Sequence, residues 1–318
     1  MELAIPQTVA VTLGTLFTVL VFSHLIAFVL KKANPKKDYS ELFQRINSWW
    51  VIIIIFAVAV VMERTAAIIF LGFVSFLALK EFFSLIPTRR ADRRVLFWAY
   101  LSVPLQFYWV YDYWYGMFII FIPVWIFLFL PLRMLVIGTT DGFLKAAGTI
   151  HWGLMITVFN LSHAAYFLSL PAIDNPQAGG VGLLLFLVIL TQFNDVAQYV
   201  WGKSLGKTKI VPKSSPGKTW AGFLGGVVTT GAAAYFIAPY LTPLEGGMGA
   251  IGGAIIAVAG FIGDVTVSAI KRDLGVKDSS SFIPGHGGIL DRVDSLTFSA
   301  PVFFHFIFYL YYGPTLAS

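Results

Sequence analysis

Residues 8–30 read TVAVTLGTLFTVLVFSHLIAFVL, 23 residues without one Asp, Glu, Lys or Arg, followed at once by Lys31 and Lys32. At 1.5 Å per residue, a helix of that length exceeds the roughly 30 Å hydrocarbon core of a bilayer. In lipid every backbone N–H and C=O must be bonded within its own segment, so the run reads as a membrane-spanning α-helix. No basic residue precedes it, and Lys31, Lys32, Lys36 and Lys37 follow it. A cleavable signal peptide has the opposite flanks. The expectation is an uncleaved span with its N-terminus outside.

The same reading extends along the chain. Apolar runs at 8–30, 47–62, 65–80, 95–111, 115–136, 149–170, 181–201, 220–240, 248–270 and 295–313 predict an all-α, polytopic integral membrane protein with about ten transmembrane helices. Composition agrees: of 318 residues 58% are hydrophobic and 12% charged, with a mean hydropathy of +0.79. A soluble domain carries about twice that charge. A net charge of +6 and a pI near 9.4 do not imply nucleic-acid binding, because the lysines and arginines gather in the loops between spans. The absence of cysteine excludes disulfides, thiolate metal sites and cysteine nucleophiles. No internal repeat or low-complexity tract interrupts the pattern.

Charge asymmetry predicts orientation. With the N-terminus outside, the loops 31–46, 81–94, 137–148, 202–219 and 271–294 face the cytoplasm and hold 21 of the 22 basic residues, span ends included. Only Arg64 falls elsewhere, beside Glu63 in a tight external turn read as structural. The positive-inside rule assigns the basic loops to the cytoplasm. The chain divides into N-terminal spans over 1–150, with plain loops, and a C-terminal region over 151–318, with long polar loops and acids inside spans. Function is expected after residue 181. The Trp and Tyr cluster at 107–115 reads as an interfacial belt, and His24, His163 and His305 as hydrogen-bonded packing residues.

Two aspartates lie within spans, Asp195 in Gln192-Phe-Asn-Asp-Val196 and Asp264 in Phe261-Ile-Gly-Asp-Val265. A carboxylate at that depth costs several kcal/mol unless it is paired, metal-bound or reached by water, so both are candidate site residues. The following loop, Lys203 to Lys218, carries five lysines in 16 residues among Gly, Ser and Pro. Lysine binds phosphate as a point charge, and glycine lets backbone N–H groups approach anionic oxygens. Lys203, Lys207, Lys213, Ser215, Lys218 and Thr219 are therefore candidate substrate contacts. Gly217-Lys218-Thr219 looks like the end of a P-loop, but Pro212 stands where that pattern needs its first glycine, and no strand precedes it.

The last polar loop is the densest. It runs from Ser268 through Lys271-Arg272, Lys277-Asp278, Pro284-Gly-His286-Gly287-Gly288 and Asp291-Arg292 to Asp294. Asp291 and Asp294, three residues apart, share one face of a helix. Carboxylates with few neutral oxygen ligands suit Mg²⁺, which keeps waters and binds substrate phosphates. His286 is open between phosphate donor, proton carrier and turn residue.

This segment closely resembles the signature of the phosphatidate cytidylyltransferases (CDP-diacylglycerol synthases). Ser, Lys-Arg, Lys-Asp, His-Gly-Gly, Asp-Arg and Asp are matched without a gap, about ten positions over 27 residues. Lys213-Ser-Ser-Pro-Gly-Lys-Thr-Trp220 resembles the family's Ser-Pro-x-Lys-Thr-Trp element. The likeness covers roughly the final 140 residues; the first 150 match only as apolar spans. One departure stands out. Where the family has an Asp-Ser/Thr-Gly-Ala-Tyr-like run, this chain has Asp195-Val-Ala-Gln198-Tyr199, which leaves open a divergent paralogue with another acceptor lipid.

The resemblance implies transfer of the cytidylyl group of CTP to phosphatidic acid, giving CDP-diacylglycerol and pyrophosphate at the cytoplasmic face of a bacterial inner membrane. It implies Mg²⁺ on Asp264 and Asp291 with Asp294 open to the same shell, a nearby monovalent cation such as K⁺, and a homodimer. Lys271, Arg272, His286 and Arg292 would serve catalysis. Ser268, Lys277, Asp278, Gly287 and Gly288, with Asp195 and the lysine loop, would serve substrate binding. Two other classes remain open: a CTP-dependent lipid or polyprenol kinase, and a membrane transporter or scaffold without activity.

Overall fold

A computed structural model describes residues 6–35, 38–61, 63–87, 93–136, 140–172, 178–280 and 287–313. The chain is an all-α, polytopic membrane protein. Its helical segments are α1 (Gln7–Ala33), α2 (Ser40–Val61), α3 (Arg64–Leu85), α4 (Arg93–Tyr111), α5 (Tyr115–Val136), α6 (143–169), α7 (Gly179–Leu205), α8 (Trp220–Leu241), α9 (Gly247–Asp273) and α10 (Leu290–Tyr312). Among the described residues no strand forms; one isolated antiparallel bridge joins Lys209 and Thr219.

Each expected span falls on one of these segments, but only eight are long and apolar enough to cross a membrane. The two outside that set are α4 and α6, so the expected count of ten is not established. The reason is physical. These segments carry polar residues that lower their mean hydropathy and turn them into the protein interior: Ser102, Gln106, Thr157, Ser162 and His163 are all buried. Gln106 Nε2 donates to Phe118 O at 3.0 Å and to Ser162 Oγ at 3.2 Å, and Ser75 Oγ of α3 donates to Thr157 O at 2.5 Å. His163 fits the packing reading in part: its Nδ1 lies 2.8 Å from Phe159 O, and its ring packs edge-on to Phe118 and Phe304. One apolar core runs from Val9 in α1 to Tyr312 in α10.

Without a hydrophobic force between helices in lipid, close approach by small residues does the work. Helices α7, α8 and α9 show this. A methyl added at Gly226 would stand 2.5 Å from Gln198 Cγ and 3.0 Å from Asn194 Oδ1; one at Gly253 would meet Ala234 Cβ and come within 2.9 Å of Thr230 O. Asn194 ties all three helices together, donating from Nδ2 to Ala257 O at 3.2 Å and accepting at Oδ1 from Thr230 Oγ1 at 3.4 Å. At the other end of the bundle Arg64 donates to Tyr111 O at 2.5 Å and Ser169 Oγ at 3.2 Å, riveting the ends of α3, α4 and α6. That agrees with its structural reading.

Candidate active site

Helices α7 and α9 extend about ten residues beyond Asp195 and Asp264, so both acids lie roughly 15 Å from the helix ends. The chain after α7 folds back on itself at 208–220, with Ile210 N donating to Lys218 O and Trp220 N to Thr208 O, both at 3.1 Å. Thr219 then caps α8, its Oγ1 accepting from Gly222 N at 3.1 Å. These contacts send the Lys218 side chain inward. Its Nζ lies 2.5 Å from Asp264 Oδ2 and donates to Gln198 Oε1 at 3.0 Å. Burial by itself pushes the ammonium pKa down, but the Asp264 and Asp195 carboxylates outweigh it and hold Lys218 above the ordinary lysine value. Lys218 is a cation fixed among acids.

The signature segment approaches the same place. Asp291 is nearly enclosed. Its Oδ1 takes a 2.5 Å bond from buried Lys271, and its Oδ2 accepts from Ser279 N at 2.8 Å, Gly288 N at 2.9 Å and Ser279 Oγ at 3.0 Å. Gly287 adopts φ +77°, a left-handed conformation that favours glycine, and a Cβ there would lie 2.5 Å from Asp291 Oδ2. Asp195 accepts from Ser295 Oγ at 3.1 Å, Asp264 from Ser268 Oγ at 3.2 Å, and Asp294 Oδ1 from Ser295 N at 2.8 Å.

Together Gln192, Asp195, Lys218, Asp264, Asp291, Arg292 and Asp294 line a cavity of about 220 Å³. The buried Nε of Arg292 has no partner among the described residues, so this guanidinium retains a donor. Four carboxylates, an amide and two cations around one space suit a polyanion held with a hard cation. Among the described residues no three acidic or histidine groups form a metal cage by themselves. That donor set fits Mg²⁺, which takes one or two carboxylates and completes its shell with water and phosphate oxygens.

The remaining expected site residues are spread around this cavity. Lys203, Lys207, Lys213, Lys277 and Asp278 are exposed and do not line it. Lys203 leans on Tyr199, with Nζ 3.4 Å from the hydroxyl. Ser215 is half-buried in the loop. Arg272 braces the two loops, donating to Ser214 O at 3.3 Å and Val276 O at 3.1 Å. Lys271 is committed to Asp291, and Thr219 to its cap. His286 lies outside the described residues.

Two residues escaped the sequence reading. Gln192 lines the cavity one helical turn before Asp195. Glu81, at the end of α3, accepts four hydrogen bonds of 2.9 Å, from Ser279 Oγ, Ser280 Oγ, Ile289 N and Leu290 N. Its one sequence signal was an acid at the end of an apolar run.

Comparison with known proteins adds a family context. The cytidylyltransferase family matches residues 43–310, which takes the likeness well into the N-terminal half, beyond the roughly 140 residues expected. An Escherichia coli (strain K12) relative named "Uncharacterized protein YnbB" is 46% identical over 301 residues, covering 95% of this chain and 99% of its own. The phosphatidate cytidylyltransferase of Haemophilus influenzae is 45% identical over 136 residues, 41% of this chain and 47% of its own. That of Pseudomonas aeruginosa is 38% identical over 124 residues, 38% of this chain and 46% of its own. The chain thus aligns with about half the length of these two enzymes.

Proposed function

This chain belongs to the cytidylyltransferase family, and on that premise we propose that it transfers the cytidylyl group of CTP to phosphatidic acid at the cytoplasmic face of a bacterial inner membrane. The observation that carries the reading is the meeting, in one cavity, of Asp264 from α9 and Asp291 from α10, with Lys218 and Arg292 beside them. A phosphate oxygen of phosphatidic acid forms a bond to the α-phosphorus of CTP. The bond from that phosphorus to the α,β-bridging oxygen breaks, and pyrophosphate departs with the electron pair. The attacking monoester is already anionic at neutral pH, so no strong base is required.

The difficulty is bringing two anions together and stabilising the leaving group. Lys218 and Arg292 supply fixed positive charge to the phosphates. Asp264 and Asp291, with Asp294 beside them, would hold Mg²⁺, and Lys271 would have to yield Asp291 Oδ1 for that. A bound Mg²⁺ would supply further neutralisation of the triphosphate, and a K⁺ nearby would add to it. Asp195 and Ser295 hold one another and shape the wall. The exposed lysines 203, 207 and 213 draw nucleotide toward the mouth.

The test is isotopic. CTP labelled at the α-phosphorus should put label into lipid, and γ-label should leave as pyrophosphate. Lipid labelled only from the γ-position means a kinase and would falsify the reading. Label entering a lipid phosphate other than phosphatidic acid keeps the chemistry and changes the acceptor, the outcome that Gln198 leaves open.

A further inference from the structure

We propose that Glu81 is a positioning residue for this site: its carboxylate, on a helix of the N-terminal half, sets the turn that presents Asp291 and Arg292. The kinetic part of the proposal rests on the cytidylyl-transfer reading; the structural part does not.

The geometry is specific. Each carboxylate oxygen of Glu81 takes one hydroxyl and one backbone N–H. Oε1 accepts from Ser280 Oγ and Ile289 N, and Oε2 from Ser279 Oγ and Leu290 N, all at 2.9 Å. The four donors come from both sides of the signature loop. Ser279 is shared: its one hydroxyl proton lies between Glu81 Oε2 and Asp291 Oδ2, and its N donates to Asp291 Oδ2. Displacing Glu81 therefore releases the backbone just before Asp291 and one of the groups that hold Asp291 itself.

Gly288 makes room for the same contact. A Cβ at Gly288 would collide with Glu81 Oε2 and with Ser279 Oγ. The second glycine of the His-Gly-Gly element thus answers to the close approach of Ser279 and Glu81 together rather than to backbone conformation.

The symmetry of the contact predicts how substitutions differ. A hydroxyl can turn round and accept, but a backbone N–H cannot. Glu81→Gln presents one oxygen and one NH₂, so one of the two amides, Ile289 or Leu290, must face a donor. Glu81→Ala leaves both without their partner. Glu81→Asp keeps two acceptors on a stem one methylene shorter. Gly288→Ala pushes the carboxylate away while leaving it charged.

The experiment joins hydrogen–deuterium exchange with steady-state kinetics on the full-length protein in detergent. In Glu81→Gln one of the two amides, Ile289 or Leu290, and in Glu81→Ala both, should exchange about tenfold faster or more, the factor that loss of a charge-assisted hydrogen bond allows. The kcat should fall on the order of a hundredfold, the cost of roughly 1 Å of misplacement, with the KM for CTP changed little. Gly288→Ala should reproduce both effects, and Glu81→Asp should restore part of each. Unchanged exchange in Glu81→Gln overturns the proposal, as does faster exchange with kcat intact. If Glu81→Ala does not fold, the Gln and Asp variants decide. A wild-type protein inert toward CTP and phosphatidic acid refutes the reaction, not the clamp, and exchange at Ile289 and Leu290 then decides alone.

Discussion

Asp264 and Asp291 share one cavity but stand in different surroundings. Asp264 keeps a side-chain exposure of 20% and one lysine, whereas Asp291 is 5% exposed and accepts four hydrogen bonds. Asp264→Asn and Asp291→Asn should each remove nearly all turnover. Thermal unfolding should separate them. Asp291→Asn leaves buried Lys271 without its carboxylate, a loss of the class that costs about 3–5 kcal/mol. Asp264→Asn, nearer solvent, should cost clearly less. Equal melting temperatures, or near-normal turnover in either variant, would remove the stated role. The in-span acids were legible because a carboxylate in lipid needs a reason. The ranking of the lysines was not: Lys203, Lys207, Lys213 and Lys218 are chemically alike in sequence, and only the fold-back at 208–220 turns Lys218 onto Asp264. Glu81 was illegible because its partners lie up to 209 positions away.

At the level of elements, the capped start of α8 governs the lysine loop. Thr219 Oγ1 satisfies Gly222 N, and methyls added at Gly202, Gly206 or Gly222 would each press on Thr219. Thr219→Ala should lower stability by about 1 kcal/mol, and Thr219→Ser should recover most of it. If the loop matters only as a charged tether, the alanine variant will bind CTP normally; a raised KM for CTP with kcat preserved is the expected result. Spans were readable from apolar runs, but their internal breaks were not. The π-helical turns at Phe121–Ile126, Met155–Phe159 and Phe308–Tyr312 share no residue pattern: Pro123 falls in the first, Thr157 in the second and neither residue type in the third.

On the scale of the whole molecule, the loop 203–218 meets the C-terminal part of α9 at one end of the bundle, through Arg272 to Ser214 O and Lys218 to Asp264. Reporter fusions in the loops 203–218 and 271–294 should both read cytoplasmic, and an external signal from either would put the site on the wrong face for the proposed use of CTP. Charge counting predicts that side, while the eight apolar helices show where counting spans fails: α4 and α6 carry too many polar residues to register, and the protein interior can hold those residues. The contact of Glu81 with Ile289 and Leu290 also imposes a schedule on biosynthesis. Glu81 leaves the ribosome 208 residues before Ile289, roughly 10–40 s earlier at about 5–20 residues per second. For nearly all of that interval α3 already exists and none of its four donors does; Ser279 and Ser280 follow 198 and 199 residues after Glu81. The nascent chain therefore cannot assemble this corner of the cavity early, and a ribosome stalled before α10 leaves behind a membrane-embedded fragment whose cavity lacks Asp291, Arg292 and Asp294.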